Sequence, residues 1–305
     1  MVMTHLEETF AREGGSWAAR ASRCPTALQR VLERFFAERG GKLGPDLVQH
    51  VRAAYGRSAG EYVKDPEHLG VPRPALDLFV ELPDGAKVLD IGCGPLARDT
   101  RFFADPDPAF RLSLMTRVVD GKPLSETYAV PAKKFQVMAT EGCLQMLALA
   151  KRAMFAHDPS GVTFGDASLP LPIDECDMHE LHLLDRAGTF DGAYSFKSLL
   201  MHTPEEYVGP ALEDVAKLLK YRGIFSVTYA PGDTRGEIGV VKRPHDLLTA
   251  TLDGTLNYFS FPSTAVVQRA AARAHLCLLE SKWSDGVHGG VVLPDYFVTQ
   301  LYRKL

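Results

Sequence analysis

Apolar residues in this chain follow two spacings, one that suits helices and one that suits short buried strands. Leu28, Val31, Leu32, Phe35 and Phe36 recur at helical intervals across Ala27–Glu38. Gly40-Gly41-Lys42-Leu43-Gly44 breaks that helix, and Pro45 can open the next, over Asp46–Tyr62. Val71-Pro72-Arg73-Pro74 starts a further helix, Ala75–Glu81. The pattern then changes. Lys87-Val88-Leu89-Asp90-Ile91 is rich in Val, Leu and Ile, and Gly92-Cys93-Gly94-Pro95 follows at once, as where a buried parallel strand ends in a tight turn. Phe135–Thr140, Val162–Ala167, Phe190–Phe196 and Gly223–Thr228 read as further strands, with a helix over Ala211–Leu219. Thr203-Pro204-Glu205-Glu206 has the form of a capping box with proline in the first turn. That box sets His202 at the lip of the strand before it. Ser263–His275, Leu276–Trp283 and Asp295–Tyr302 read as helix, strand and strand.

The glycine turn carries the first chemical signal. Gly92 and Gly94 can take positive φ and lack a Cβ, so backbone there can approach a ligand closely. In open α/β sheets, ligands bind just outside the carboxyl ends of the strands. Gly92, Gly94 and Ala97 match a short dinucleotide fingerprint, but that fingerprint alone is weak. Asp90 sits directly before the glycines, where it repels a pyrophosphate and welcomes a cation. The acid expected about 20 residues on, after a second strand, is also missing, since Asp105 and Asp107 fall early in a Pro-rich turn.

The second strand decides the matter. Phe135–Thr140 runs into Glu141-Gly142-Cys143-Leu144-Gln145-Met146-Leu147, and an acid at a strand end can accept both hydroxyls of a ribose. This segment resembles the acid-x-Ser-x-x-Met-Leu stretch of class I S-adenosylmethionine-dependent methyltransferases, with Glu141 as the acid and Cys143 for the serine. Val88–Pro95 resembles that family's first motif, and the bacterial small-molecule methyltransferases are the nearest subgroup in pattern. Arg98-Asp99-Thr100 looks equivalent to a Gly-Arg-Asp-Thr run of that subgroup, with one residue extra. The resemblance spans about Val51 to Leu305. It implies a Rossmann-like α/β fold with a seven-stranded, mostly parallel sheet, helices on both faces and an antiparallel C-terminal hairpin. A helical cap is expected over 1–81 and a cofactor-binding core over 82–305. The core departs from a minimal fold by insertions near 105–134 and 173–187. The first contains a strand-like run, Arg111–Val119, before the hairpin signal Asp120-Gly121. The second is an acidic stretch with His179 and His182, read as a solvated loop because it lacks zinc-type ligand spacing.

The resemblance implies S-adenosyl-L-methionine as cofactor and S-adenosyl-L-homocysteine as product. It places Asp90, Gly92, Gly94, Arg98, Glu141, Gly142, Asp166, Ala167 and Ser195 in the cofactor site. Within that set Asp90 favours the ammonium, Glu141 holds ribose and Asp166 meets adenine. Methyl transfer is an in-line displacement that needs chiefly proximity and alignment. A base is needed only where the acceptor must lose a proton, and His202 is the candidate, because imidazole titrates near neutrality. Its plainer reading is a histidine bonded to backbone before a helix. Tyr55 and Tyr62 on the cap helix, with Tyr258 and the aromatic run Tyr258–Phe261, are candidates for the acceptor pocket. Their plainer reading is core packing. The expected acceptor is a nitrogen or oxygen atom of a small molecule. A peptide or RNA methyltransferase and a non-catalytic partner protein of the same fold are the alternatives.

Composition narrows these further. A net charge of −4 leaves no electrostatic footprint for nucleic acid. Five scattered cysteines suit a reducing compartment. Met1–Arg20 carries acids and no long apolar core, and no run approaches the roughly 18 apolar residues of a membrane span. A cytoplasmic protein without a membrane partner or a metal site is expected. The oligomeric state is not legible.

Overall fold

The computed structural model describes residues 45–63, 72–105, 111, 132–155, 173–232, 246–250, 256–288 and 291–305. Helix α1 (Pro45–Tyr62) and helix α2 (Arg73–Glu81) precede strand β1 (Lys87–Ile91). Helix α3 (Arg98–Ala104) leads on to β2 (Gln136–Glu141), α4 (Leu144–Phe155), β3 (Ile173–Glu175) and β4 (Phe190–Phe196). Then come α5 (Val208–Leu218), β5 (Leu219–Tyr229), β6 (Asp246–Ala250), β7 (Leu256–Ser260), α6 (Thr264–Arg273), β8 (Leu276–His288) and β9 (Val291–Lys304). Seven strands form one sheet in the order β3-β2-β1-β4-β5-β9-β8, and β6 with β7 forms a separate ribbon. Pairing is parallel from β3 through β5 and antiparallel at β9 and β8. This is the expected α/β architecture.

Strand alternation sends the core to both faces. Val88, Val137, Ile224 and Leu301 face a cluster built on α2 and α3, while Leu89, Ile91, Met138, Phe225 and Val227 face α5 and α6. One-residue offsets reverse the face because side chains alternate along a strand. Helix α5 presents Val208, Ala211, Leu212 and Val215 to the sheet, the spacing of an amphipathic helix. Phe79, Phe102, Phe103, Phe135 and Tyr194 interlock on the other side with ring centroids 5.0 to 6.1 Å apart.

Three expectations change on inspection. Ile173–Glu175, part of the stretch read as an inserted acidic loop, is a strand paired in parallel with β2. It escaped the sequence reading because a three-residue strand carries too little periodicity to stand out. Thr203 caps nothing downstream. Its hydroxyl donates back to the Leu199 carbonyl at 2.6 Å, and the segment beyond is a short 3-10 turn, Glu205–Tyr207, with Pro204 before it. Arg111, read as the head of a strand, is helical and fully buried. It donates to the carbonyls of Phe102 (3.0 Å) and Phe103 (3.1 Å), closing the end of α3. The rest of the 105–134 insertion beyond Asp105, up to residue 131, lies outside the described residues, as do the helix expected at Ala27–Glu38 and the strand expected at Val162–Ala167.

Candidate functional site

Loops leaving the carboxyl ends of β1 and β2 meet at one place because these strands are parallel neighbours. The backbone N–H groups of Gly92 and Cys93 both donate to the Thr140 carbonyl at 3.0 Å. Gly92 and Gly94 have φ of +72° and +68°, the left-handed region that favours glycine. A Cβ on Gly92 would lie 2.9 Å from the Ser198 side chain, whereas one on Gly94 would meet nothing within 4 Å. Gly92 is thus needed for packing and Gly94 borders open space.

Glu141 stitches the two loops. Its carboxylate accepts from the backbone N–H of Gly94 at 3.0 Å and from that of Cys143 at 2.9 Å. Burial raises its pKa, against the opposing pull of those N–H groups. Asp90 is buried and accepts from the Thr100 hydroxyl at 2.6 Å. Burial, then the nearby Asp99 charge, pushes its carboxyl up to about 7. Arg98 is occupied by Asp99 through two contacts of 2.7 and 2.9 Å, and its guanidinium lies 5.5 Å above the Phe196 ring.

These groups line a cavity of about 340 Å³. Its opposite side brings together Tyr55, Tyr62, His202 and Phe259. The Tyr55 hydroxyl lies 2.8 Å from His202 Nε2, and His202 also packs on Phe259 with ring centroids 5.1 Å apart. His202 is 3% exposed and follows the 3-10 turn Leu199–Met201, so backbone geometry turns its ring into the cavity. Ser195 takes a different position. It is fully buried behind the wall, 2.7 Å from the Ser198 hydroxyl, and accepts from the Leu199 N–H at 3.0 Å. Ser198 is the serine that lines the cavity. Gly142 lies behind it too, where a Cβ would come within 2.7 Å of Asp177 Oδ2. Asp166 and Ala167 lie outside the described residues, and so does the Tyr258 side chain, although its backbone pairs with Leu248 in the β6–β7 ribbon.

Several lining residues escaped the sequence reading. Met178 and Phe297 reach the cavity, and Arg52 ties α1 to the core by reaching Asp177 at 2.8 Å and Glu180 at 3.0 Å. Burial alone would raise the Asp177 carboxyl, but His179 and Arg52 hold it well below the usual carboxylate range. His179 completes a chain with Asp177 at 2.7 Å and the Thr203 hydroxyl at 3.1 Å. Among the described residues, no group of three or more His, Cys, Asp or Glu could hold a metal ion, and no helix is long and apolar enough to cross a membrane. No signal in sequence spacing could have linked Arg52 to Asp177.

No protein-family model and no curated protein matches the sequence. Solved structures do match in shape. One is the Burkholderia thailandensis 1,6-didemethyltoxoflavin-N1-methyltransferase, solved with bound 1,6-didemethyltoxoflavin and S-adenosylhomocysteine. It is 18% identical, with 86% of this chain and 91% of that chain covered, at a TM-score of 0.51. A SAM-dependent methyltransferase from Methanosarcina mazei is 12% identical, with 78% and 99% covered, at a TM-score of 0.53. Sheet order, the antiparallel C-terminal pair and these matches agree: the chain has the Rossmann-like fold of the S-adenosylmethionine-dependent methyltransferases.

Proposed function

We propose that this chain binds S-adenosyl-L-methionine and transfers a methyl group to a nitrogen or oxygen atom of a small molecule. The observation that carries this reading is the single cavity in which Asp90, Gly94 and Glu141 face Tyr55, Tyr62 and His202. The residues fit such a cofactor. Open space beside Gly94 leaves room for the methionine part. The carboxyls of Asp90, Asp99 and Glu141 outnumber the cations Arg98 and Lys197 in the lining, which suits a ligand bearing ammonium and sulfonium groups. Each Glu141 oxygen accepts one backbone N–H and keeps a lone pair for a ribose hydroxyl. Asp166 and Ala167 belong to the adenine end on the family pattern.

When bound, S-adenosyl-L-methionine supplies an already activated methyl group and leaves as S-adenosyl-L-homocysteine. The chain's own residues hold, orient and exclude water. Tyr55, Tyr62 and Phe259 form the aromatic side against which a flat acceptor can lie, and Tyr258 extends the same strand. His202 is the base where the acceptor must lose a proton, with its ring fixed by Tyr55.

Titration calorimetry tests the cofactor. S-adenosyl-L-methionine or S-adenosyl-L-homocysteine should bind and NAD should not; the reverse would end this reading. Glu141→Ala should weaken binding by about 1.5–3 kcal/mol, the usual loss for a hydrogen bond to a charged group, with the fold retained. His202→Gln tests the base. Transfer of a labelled methyl group to small-molecule extracts should fall by about a hundredfold or more, with cofactor affinity held. Full turnover in that variant removes His202 from the chemistry.

A further inference from the structure

Helix α1 carries Arg52, Tyr55, Ala59 and Tyr62 at intervals of three, four and three, which is one face of an α-helix. Arg52 fixes that face on Asp177, and the rest of it packs on Cys143 and Met146 beside the start of α4. Tyr55 is thereby set where its hydroxyl meets His202 Nε2 at 2.8 Å. The two rings stand edge to face, with centroids 5.1 Å apart and planes at 87°. Tyr62 backs Tyr55 at 5.5 Å, and Phe259 backs His202 at 5.1 Å.

The two members of this pair differ in access. His202 is 3% exposed, whereas Tyr55 is only partly buried, and both line the cavity. With Nε2 committed to the Tyr55 hydroxyl, a proton leaving an acceptor reaches the imidazole through that hydroxyl. The carboxylates of the lining, Asp90, Asp99 and Glu141, come from β1, α3 and the end of β2, so none shares an element with the pair. Lys197 enters from the loop after β4, with its ammonium 4.0 Å from the Phe297 centroid and 5.0 Å from that of Phe196.

We propose that Tyr55 and His202 form a proton relay in which Tyr55 touches the acceptor, and that the acceptor is a flat molecule bearing a phenolic hydroxyl. This rests on the methyl-transfer reading above and narrows the acceptor atom to oxygen. The acceptor O–H bond breaks as its proton passes to the Tyr55 oxygen. The Tyr55 O–H bond breaks in turn, and that proton ends on His202 Nε2. One proton leaves the acceptor and one is gained by the imidazole, with Tyr55 neutral before and after. Two phenols have the same intrinsic acidity, so the first transfer is close to level, whereas a neutral amine gives up a proton far less readily. Tyr62 and Phe259 supply ring faces against which a flat acceptor packs.

para-Nitrophenol reads the relay directly, because its ionised form is yellow and its acid form is not. With S-adenosyl-L-homocysteine present or absent it should bind saturably, and nitrobenzene, which lacks the hydroxyl, about tenfold more weakly. Its ionisation should move down by about one pH unit on binding. Tyr55→Phe and His202→Gln should each remove that shift, with cooperative unfolding retained. The double variant should be no worse than either, as for groups that act as one unit. No binding, no shift on binding, or a full shift in a cooperatively folding Tyr55→Phe chain overturns the relay. A chain that binds and ionises para-nitrophenol but binds no S-adenosyl-L-methionine keeps the relay and loses the transferase reading. One that binds S-adenosyl-L-methionine and not para-nitrophenol does the reverse.

Discussion

Asp90 shows how one buried residue can link pH, stability and ligand affinity. Its carboxyl is raised from 3.8 to about 7, first by burial and then by Asp99. The native state therefore keeps a proton that the unfolded chain has already lost. Between about 4 and 7, stability contributed by this residue falls as pH rises, since the unfolded state binds fewer protons. A ligand with an ammonium beside Asp90 favours the ionised form. Its affinity should rise with pH up to about 7 and flatten above, with proton release on binding at pH 6. Calorimetry in two buffers of different ionisation enthalpy measures that proton directly. Asp90→Asn should abolish both the release and the pH dependence. A flat affinity between pH 5.5 and 8 in the unaltered chain would show that Asp90 does not face the ligand's cation.

Among the elements, α1 is tied to the core by an ion pair as well as by the packing of Tyr55, Ala59 and Tyr62 against Cys143 and Met146. Arg52 reaches Asp177, which is buried, while Arg52 itself is one-third exposed. Truncation at Arg52→Ala leaves Asp177 with His179 alone. The expected loss is about 1–2 kcal/mol, less than for a fully buried pair because water screens the exposed partner. Denaturant unfolding gives the magnitude, and hydrogen exchange along Pro45–Tyr62 should accelerate more than exchange in β1. Equal protection of α1 in both chains would mean that the ion pair does not hold this helix. Other elements are closed by side chains from outside the helix. The Lys133 ammonium donates to the carbonyls of Phe79, Val80 and Leu82 at 2.7 to 2.9 Å, ending α2, and Arg111 does the same for α3. The Lys133 cap was not legible in the sequence, because a cation that closes a helix from some fifty residues away leaves no local spacing to detect.

At the scale of the whole molecule, local pattern and tertiary placement divide the work clearly. The strands at Lys87–Ile91 and Gln136–Glu141 and the glycine turn between Ile91 and Pro95 follow from the sequence by itself, because buried parallel strands are continuous apolar runs and a tight turn demands glycine. Asp90 and Glu141 at the strand ends were visible for the same reason. The seven-stranded, mostly parallel sheet with its antiparallel C-terminal pair was reached through resemblance of ordered motifs, whereas the order β3-β2-β1-β4-β5-β9-β8, with Ile173–Glu175 beside β2, came from the structure, because periodicity is silent on which strands are neighbours. Tertiary structure alone decided the rest. It added Met178 and Phe297 to the cavity lined by Tyr55, His202 and Phe259, placed Ser195 behind the wall while Ser198 lines it, and set Lys197 between that cavity and a second, smaller one. Hydrophobic spacing reports which side of an element is buried; it carries no information about what that side is buried against.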